Sequence, residues 1–240
     1  MNLFYQPDIS SHAIELDEKE SKHVVRVLRL GKGDPVQVVD GRGGWYEAVI
    51  DEDHPKRCRL LITSHTPEYQ PLPYHLHMAV SPTKSMDRFE WFLEKATEIG
   101  ISEITPLICH RSERSKINME RMERVVVSAM KQSLRAYKPR LNKPVGIAEF
   151  LRGKGEGVRG IAHCIPDGDD RLQNRKSIMD LPGHKSFTLM VGPEGDFTEE
   201  EVQSALSAGY QPFHLGNSRL RTETAAVHIC SAISLRTPKE

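Results

Sequence analysis

The sequence predicts an α/β protein: a mainly parallel sheet covered by helices on both faces, preceded by a small β-barrel. Three observations carry this. Up to about residue 65, short apolar stretches are separated by tight turns. Beyond a proline-rich tract, apolar strand-like runs alternate with segments of helical period. Two of those strand-like runs lead straight into glycine-containing loops that open helices. Strands joined by short turns suit a barrel, and strands alternating with helices suit a parallel sheet.

In chain order, Asn2–Tyr5 and Ala13–Leu16 are short strand candidates. Asp17 with Glu20 fits a capping box and predicts a helix with Val24, Val25, Val27 and Leu28 on its apolar positions. Gly31–Pro35 reads as a turn, Val36–Val39 as a strand, Asp40–Gly44 as a hairpin turn, Trp45–Ile50 as the returning strand and Arg59–Thr63 as one more. Thr66–Pro73 holds three prolines in eight residues, which stiffen the chain and remove donors. The boundary is placed there, with a barrel over 1–66 and a larger α/β domain over 74–240. In the latter, strands are predicted at Leu76–Val80, Ile104–Ile108, Val158–Cys164, Phe187–Val191 and Gln211–Leu215. Helices are predicted at Asp87–Ile99, Met119–Leu134, Thr198–Ala208 and Thr222–Leu235, and Gly153–Gly157 as a loop.

Composition narrows the function. No stretch of 18 apolar residues exists, and the N-terminus lacks the basic-then-apolar order of a secretory signal, so an intracellular, cytoplasmic protein is expected. Cys58, Cys109, Cys164 and Cys230 are scattered, without ligand spacing, so reduced, mostly buried thiols and no metal are expected. A net charge of zero hides an asymmetry: residues 110–154 carry 12 Lys/Arg against 4 Asp/Glu. A basic block in a neutral chain fits either a polyanionic partner or a solvated helix face.

The chemistry concentrates in two loops. Val191-Gly-Pro-Glu-Gly-Asp-Phe197 follows a strand and precedes Thr198 and Glu201, a second capping box. Open α/β sheets bind ligands at that place, and glycines let a ligand approach the backbone. Glu194 and Asp196 would repel a phosphate, whereas carboxylates suit ribose hydroxyls or a cation. S-adenosylmethionine has a ribose, an ammonium and a sulfonium but no phosphate; a tight turn with solvated acids is the alternative. The second loop runs from Leu215 to Ala225 and again opens a helix, with Thr222 as the expected N-cap and Glu223 in the first turn. Arg219 and Arg221 oppose the helix dipole there, which points to an anionic or electron-rich partner; a surface ion pair with Glu223 is the alternative.

These loops together resemble those of the SPOUT methyltransferases, and among them the family that methylates N3 of a uridine in 16S ribosomal RNA. Val191–Glu201 and Leu215–Ala225 stand in the places of its two glycine motifs. Lys84-x-x-x-Arg88-x-Glu90, Lys95-x-x-Glu98-Ile-Gly100 and Lys131-Gln-Ser-x-Arg135 match further elements, and His23–Arg29 falls in the family's PUA-like barrel. Two places depart: Asp196 stands where glycine is common, and Ser218-Arg219 where Arg-Ile is usual. The resemblance implies a deep trefoil knot in the C-terminal domain, a homodimer with a shared active site, and S-adenosylmethionine bound by Gly192, Pro193, Glu194, Gly195, Leu215, Gly216 and Leu220. Met190 and Thr224 are expected neighbours, and His163–Ile165 a third loop, with His163 itself packed or at the surface.

Uracil N3 carries a proton that must leave, so a cation should stabilise charge developing on the ring oxygens. Arg221 is the first candidate, Arg219 the second, and Glu223 a candidate base. Arg26, Arg29, Lys84, Arg88, Arg111, Arg114 and Arg135 are candidate contacts to 16S ribosomal RNA or the small subunit. The competing readings are a non-catalytic RNA-binding or assembly factor, a methyltransferase of another nucleotide or of a ribose 2′-hydroxyl, and a nicotinamide-dependent oxidoreductase, against which the absence of an early GxGxxG argues.

Overall fold

The computed structural model describes residues 2–153, 157–164 and 175–236. Two compact units share the chain: Met1–Pro71 with Val127–Lys138, and Leu72–Val126 with Pro139–Glu240. Most of the predicted loop at Gly153–Gly157 lies outside the described residues.

The first unit holds a five-stranded sheet, ordered β1 (Leu3–Tyr5), β3 (Pro35–Val39), β4 (Trp45–Glu52), β5 (Arg59–Thr66) and β2 (Ala13–Glu15). All pairings are antiparallel except β1 with β3. Phe4, Ile14, Val36, Val38, Ile50 and Leu60 fill its core, at alternate strand positions as a half-buried sheet requires. Asp17 caps helix α1 (Glu18–Lys22), accepting from Glu20 N at 2.7 Å. The helix then widens into a π-helical turn over His23–Val27, so Val24 is buried while Val27 is 65% exposed. The regular helix expected there would have placed both on the apolar side, and the extra residue per turn rotates Val27 outward.

The segment Val127–Lys138 joins this unit because Met130 and Ala136 bury against Leu3, Val39 and Trp45. It contains the end of helix α3 (Met119–Gln132), which stops two residues before the predicted Leu134. Leu134 takes a left-handed φ of 55°, which ends the helix.

The second unit is built on an eight-stranded sheet with parallel pairings throughout. Its order is β11 (Lys176–Ser177), β13 (Gln211–His214), β10 (Val158–Ala162), β12 (Ser186–Val191), β6 (His75–Val80), β7 (Glu103–Ile108) and β8 (Arg140–Leu141), with β9 (Val145–Gly146) also on β7. Side chains alternate between two cores. Leu189, Met78 and Val80 face a core with Phe89, Phe92, Ala226 and Ile229. Met190, Ala79 and Ile161 face the other, with Phe197, Val202 and Ala205. The first core belongs to helices α2 (Met86–Ile99) and α6 (Thr222–Arg236) and the second to α4 (Ile147–Phe150) and α5 (Glu199–Ser207), so the sheet is covered on both sides as predicted.

Burial also disposes of three of the thiols. Cys58, Cys109 and Cys230 are buried; burial pushes Cys58 up to about 11 and Cys230 up to about 12, so neither is a nucleophile near neutrality. Among the described residues no helix is long and apolar enough to cross a membrane, and no group of three or more His, Cys, Asp or Glu could hold a metal ion.

Candidate functional site

Strands β13, β10 and β12 are neighbours, and their carboxyl ends feed one cleft of about 330 Å³. That volume suits a nucleoside-sized ligand. β10 contributes Ala162 and His163, β12 the loop from Gly192 to Asp196, and β13 the loop from Leu215 to Thr222. The two glycine loops predicted to lie together therefore do: Glu194 and Gly216 line the same cleft. The Thr222 hydroxyl donates to the Gly192 carbonyl at 3.0 Å and ties one loop to the other. Thr222 is thus not the N-cap expected. Helix α6 starts on it, and the carbonyl of Arg221 accepts the Ala225 N–H instead.

Each loop has a local cause. A side chain on Gly192 would put its Cβ 3.0 Å from the Phe197 ring, so the ring would have to give by a few tenths of an ångström to admit one. Phe197 anchors the loop's far end in the core, and Thr198 then caps α5 in the predicted box with Glu201. Gly216 sits at φ +106° with open space where a Cβ would project. Asp196 holds φ +62°, the strained region that the more common glycine would occupy freely.

The two acids also bind the loops to their surroundings. Glu194 Oε1 accepts the Lys84 N–H at 2.9 Å. Asp196 Oδ2 accepts Cys164 N–H at 2.6 Å and Oδ1 accepts Phe197 N–H at 2.8 Å. They bind loop to loop, because a carboxylate in a bend finds backbone donors close at hand. The 84–90 and 110–114 stretches are drawn in by the same means. Arg114 donates to the Lys84 carbonyl at 2.6 Å, and Arg111 to the Gly195 carbonyl at 2.7 Å.

Of the predicted cofactor residues, Gly192, Pro193, Glu194, Leu215, Gly216 and Leu220 line the cleft. Met190, Gly195 and Thr224 do not. Met190 alternates into the α5 core, Gly195 lies against Arg111, and Thr224 is exposed on α6. Arg219 and Arg221 line the cleft, and neither forms an ion pair among the described residues. Glu223 does not line it. It is 7% exposed, with Oε1 3.8 Å from Arg88 Nε and Oε2 without a hydrogen-bond partner among the described residues. The turn of α6 aims it at α2, so it neither pairs with Arg221 nor reaches the cleft as a base.

Other predicted cations are partly spoken for. Lys84 pairs with Glu113 at 3.0 Å, and within the basic block Arg121 pairs with Glu90 and Arg124 with Glu120. Lys131 reaches Glu20 at 2.7 Å. Arg26 and Arg29 are exposed in the first unit, Arg29 at φ 56°. Beside the smaller cleft lies a wider one of about 680 Å³, lined by Arg111, Arg175, Arg219, His214 and Asn217. Sequence reasoning missed Arg175 and His214. Neither sits in a motif, and the fold alone brings them there.

The resemblance puts His163–Ile165 in a third loop, with His163 packed or at the surface. It is packed, at 3% exposed, yet it also lines the cleft. Its predicted neighbour Ile165 lies outside the described residues.

A parallel sheet with a nucleoside-sized cleft at three adjoining strand tips, walled by Arg219 and Arg221, defines an α/β protein shaped to hold a nucleoside-type ligand. The family described as RNA methyltransferase domain matches residues 70–234, and the RNA methyltransferase PUA domain matches 16–63. A protein from Synechocystis sp. named ribosomal RNA small subunit methyltransferase E is 31% identical over 216 residues, covering 88% of this chain and 69% of that one. The chain belongs to the RNA methyltransferase family that these proteins represent. A crystal structure of a probable rRNA-methyltransferase from Porphyromonas gingivalis superposes with a TM-score of 0.88 at 38% identity, covering 99% of this chain and 98% of that one. A ribosomal RNA small subunit methyltransferase E from Neisseria gonorrhoeae, crystallised with S-adenosyl methionine, gives 0.85 at 27% identity, covering 98% and 97%.

Proposed function

We propose that this chain transfers a methyl group from S-adenosylmethionine to N3 of a uridine in 16S ribosomal RNA. The observation that carries the reading is the cleft itself, where two glycine loops tied by Thr222 and Gly192 meet beside Arg219 and Arg221. The residues present fit the cofactor. Apolar Ala162, Val191, Phe213, Leu215 and Leu220 can pack a nucleoside ring, and open space above Gly216 lets a ligand lie on the backbone. Gly192, Pro193, Glu194, Leu215, Gly216 and Leu220 would hold it.

When bound, S-adenosylmethionine supplies an electrophilic methyl group. The protein's own task is to hold the uracil in line with it and to stabilise the anion left as N3 loses its proton. Arg221, which lines the cleft without an ion pair among the described residues, would donate to a ring oxygen. Arg219, which lines both clefts, serves the same end or a neighbouring phosphate. Glu223 acts through Arg88 and α6 rather than on the proton.

To this reading belong a PUA-like RNA-binding role for residues 1–66 and a methyltransferase role for 74–240. So do a trefoil knot in the latter, a homodimer that completes the site, and action in the cytoplasm. Arg26, Arg29 and Arg135 on the first unit, and Lys84, Arg88, Arg111 and Arg114 on the second, would contact RNA. Binding to a 16S fragment should therefore weaken steeply as salt rises, with log affinity linear in log salt. Filter binding between about 50 and 200 mM salt checks this, and a flat response would remove the electrostatic part. Mapping of the missing modification in ribosomal RNA from a deletion strain tests the reaction; an unchanged uridine-N3 methylation pattern overturns it.

A further inference from the structure

Asp196 is the strained point of the first glycine loop. Its φ of +62° is left-handed, a region that a residue with a Cβ enters only at a cost. Such a conformation persists where its surroundings over-determine it. Part of the hold is its own. The carboxylate accepts from the Cys164 and Phe197 N–H groups, and the Asp196 N–H closes a turn on the Pro193 carbonyl at 2.9 Å. The rest comes from the loop after β7. Arg111 Nη1 donates to the Gly195 carbonyl at 2.7 Å and to the Phe197 carbonyl at 3.3 Å, the carbonyls on either side of Asp196. The stem of Arg111 lies close on Gly195, where a Cβ would stand 3.3 Å from Arg111 Cδ and 3.4 Å from Arg111 Cβ.

Arg111 is itself held in place. Cys109 and Ser112 close a turn around it: the Ser112 N–H donates to the Cys109 carbonyl at 3.0 Å, and the Cys109 N–H to Ser112 Oγ at 2.8 Å. The His110 N–H donates to Glu201 Oε1 at 2.7 Å, while Glu201 Oε2 accepts the Thr198 N–H in the capping box of α5. Ser112 Oγ also meets Ser81 Oγ at 2.8 Å, and the Ser81 N–H donates to the Val191 carbonyl at the end of β12. With its backbone fixed on both sides, the side chain loses less freedom on bonding than one on a loose loop would. A charged donor on a carbonyl is also stronger than a neutral one.

We propose that Arg111 is a positioning residue for cofactor capture: by bridging the carbonyls around Asp196, it holds the cleft wall of Gly192, Pro193, Glu194 and Asp196 in its ligand-binding shape. The role rests on the S-adenosylmethionine reading and adds to it the group that sets this wall. Arg111 does not line the smaller cleft, so its effect on the cofactor passes through the loop. A guanidinium has several N–H donors, so the bridge leaves others for the RNA contact proposed for the same residue. Without the bridge the wall would visit looser shapes, and affinity would fall with the fraction of molecules still competent to bind.

The test is calorimetric titration of the full chain with S-adenosylmethionine in the absence of RNA, where an Arg111 that served RNA alone would show no effect. Arg111→Gln should weaken binding by about threefold or more, the scale of a lost charge-assisted hydrogen bond. Arg111→Lys, which keeps a charged donor without the planar fork, should recover part of that affinity. In transfer assays at saturating RNA, the loss should fall on the KM for cofactor, with kcat within about threefold of the unaltered protein. The melting temperature should stay within about 4 °C, while amide exchange over 192–197 quickens. An affinity loss in Arg111→Gln below about threefold would overturn the proposal. So would a Lys variant that binds no better than the Gln variant, or a loss that falls on kcat and leaves KM unchanged. If the Gln variant does not fold, the Lys variant decides: weaker cofactor binding at an unaltered melting temperature supports the role, and full affinity overturns it. Failure of the unaltered protein to bind S-adenosylmethionine would instead overturn the cofactor reading beneath it.

Discussion

Arg221→Ala is expected to lower the rate of methyl transfer by about 100- to 1000-fold, the usual effect of removing one donor aimed at a developing anion. The guanidinium lines the cleft and has no acid partner among the described residues, since Glu223, the nearest acid in sequence, turns to Arg88 instead. Its charge is thus free to serve the substrate. Single-turnover transfer of labelled methyl at saturating cofactor measures the step without a binding contribution. Arg221→Lys should recover only part of the rate, because an ammonium keeps the charge but loses the planar fork. Arg219→Ala should cost less, nearer tenfold, as its side chain is shared with the wider cleft. A rate for Arg221→Ala within threefold of the unaltered protein would remove Arg221 from the mechanism.

Phe197→Ala should cost about 3–5 kcal/mol of stability, the range for deleting a fully buried aromatic ring. Phe197 is fully buried and packs with Met190, Val202 and Ala205 beneath the first glycine loop. For a unit of this size such a loss lowers the melting temperature by roughly 10 °C. The same ring lies against Gly192, so the loop should loosen and cofactor affinity should fall with stability. Differential scanning calorimetry and titration on one sample read both. A melting temperature within about 2 °C of the unaltered protein would show that the ring does not anchor the loop.

Much of this architecture is legible in the sequence, and for physical reasons. Strands buried on both faces, such as Ser186–Val191, read as continuous apolar runs. The Thr198 and Glu201 box marks the start of α5 because both halves of the cap are local. What escapes is set by distant neighbours. Lys176–Ser177, Arg140–Leu141 and Val145–Gly146 are two-residue strands with no periodicity to detect. The π-helical turn at His23–Val27 keeps a helical composition while shifting which valine is buried. Val127–Lys138 joins the first unit through Met130 and Ala136, contacts no local pattern encodes.

At the site, the glycine loops and the two arginines were visible because turn chemistry and helix dipoles are local. The fate of Glu223 was not, because a place in the first turn of a helix does not say that Arg88 waits across it. Met190 misled for a related reason. Its strand was predicted correctly, but strand alternation sends it to the α5 core and its neighbour Val191 to the cleft. His163 was expected packed or at the surface, but the loss of hydrogen-bond partners on its ring is a property of its surroundings and not of its type.

The hydroxyl of Thr222 latched onto the carbonyl of Gly192 has a kinetic corollary. With both walls already fastened to each other, loading should be a single encounter and not a slow closure after capture. In stopped-flow mixing, the observed rate should then climb in a straight line with cofactor concentration and show no plateau. Thr222→Val would cut the latch while keeping the shape, and should bring the plateau in.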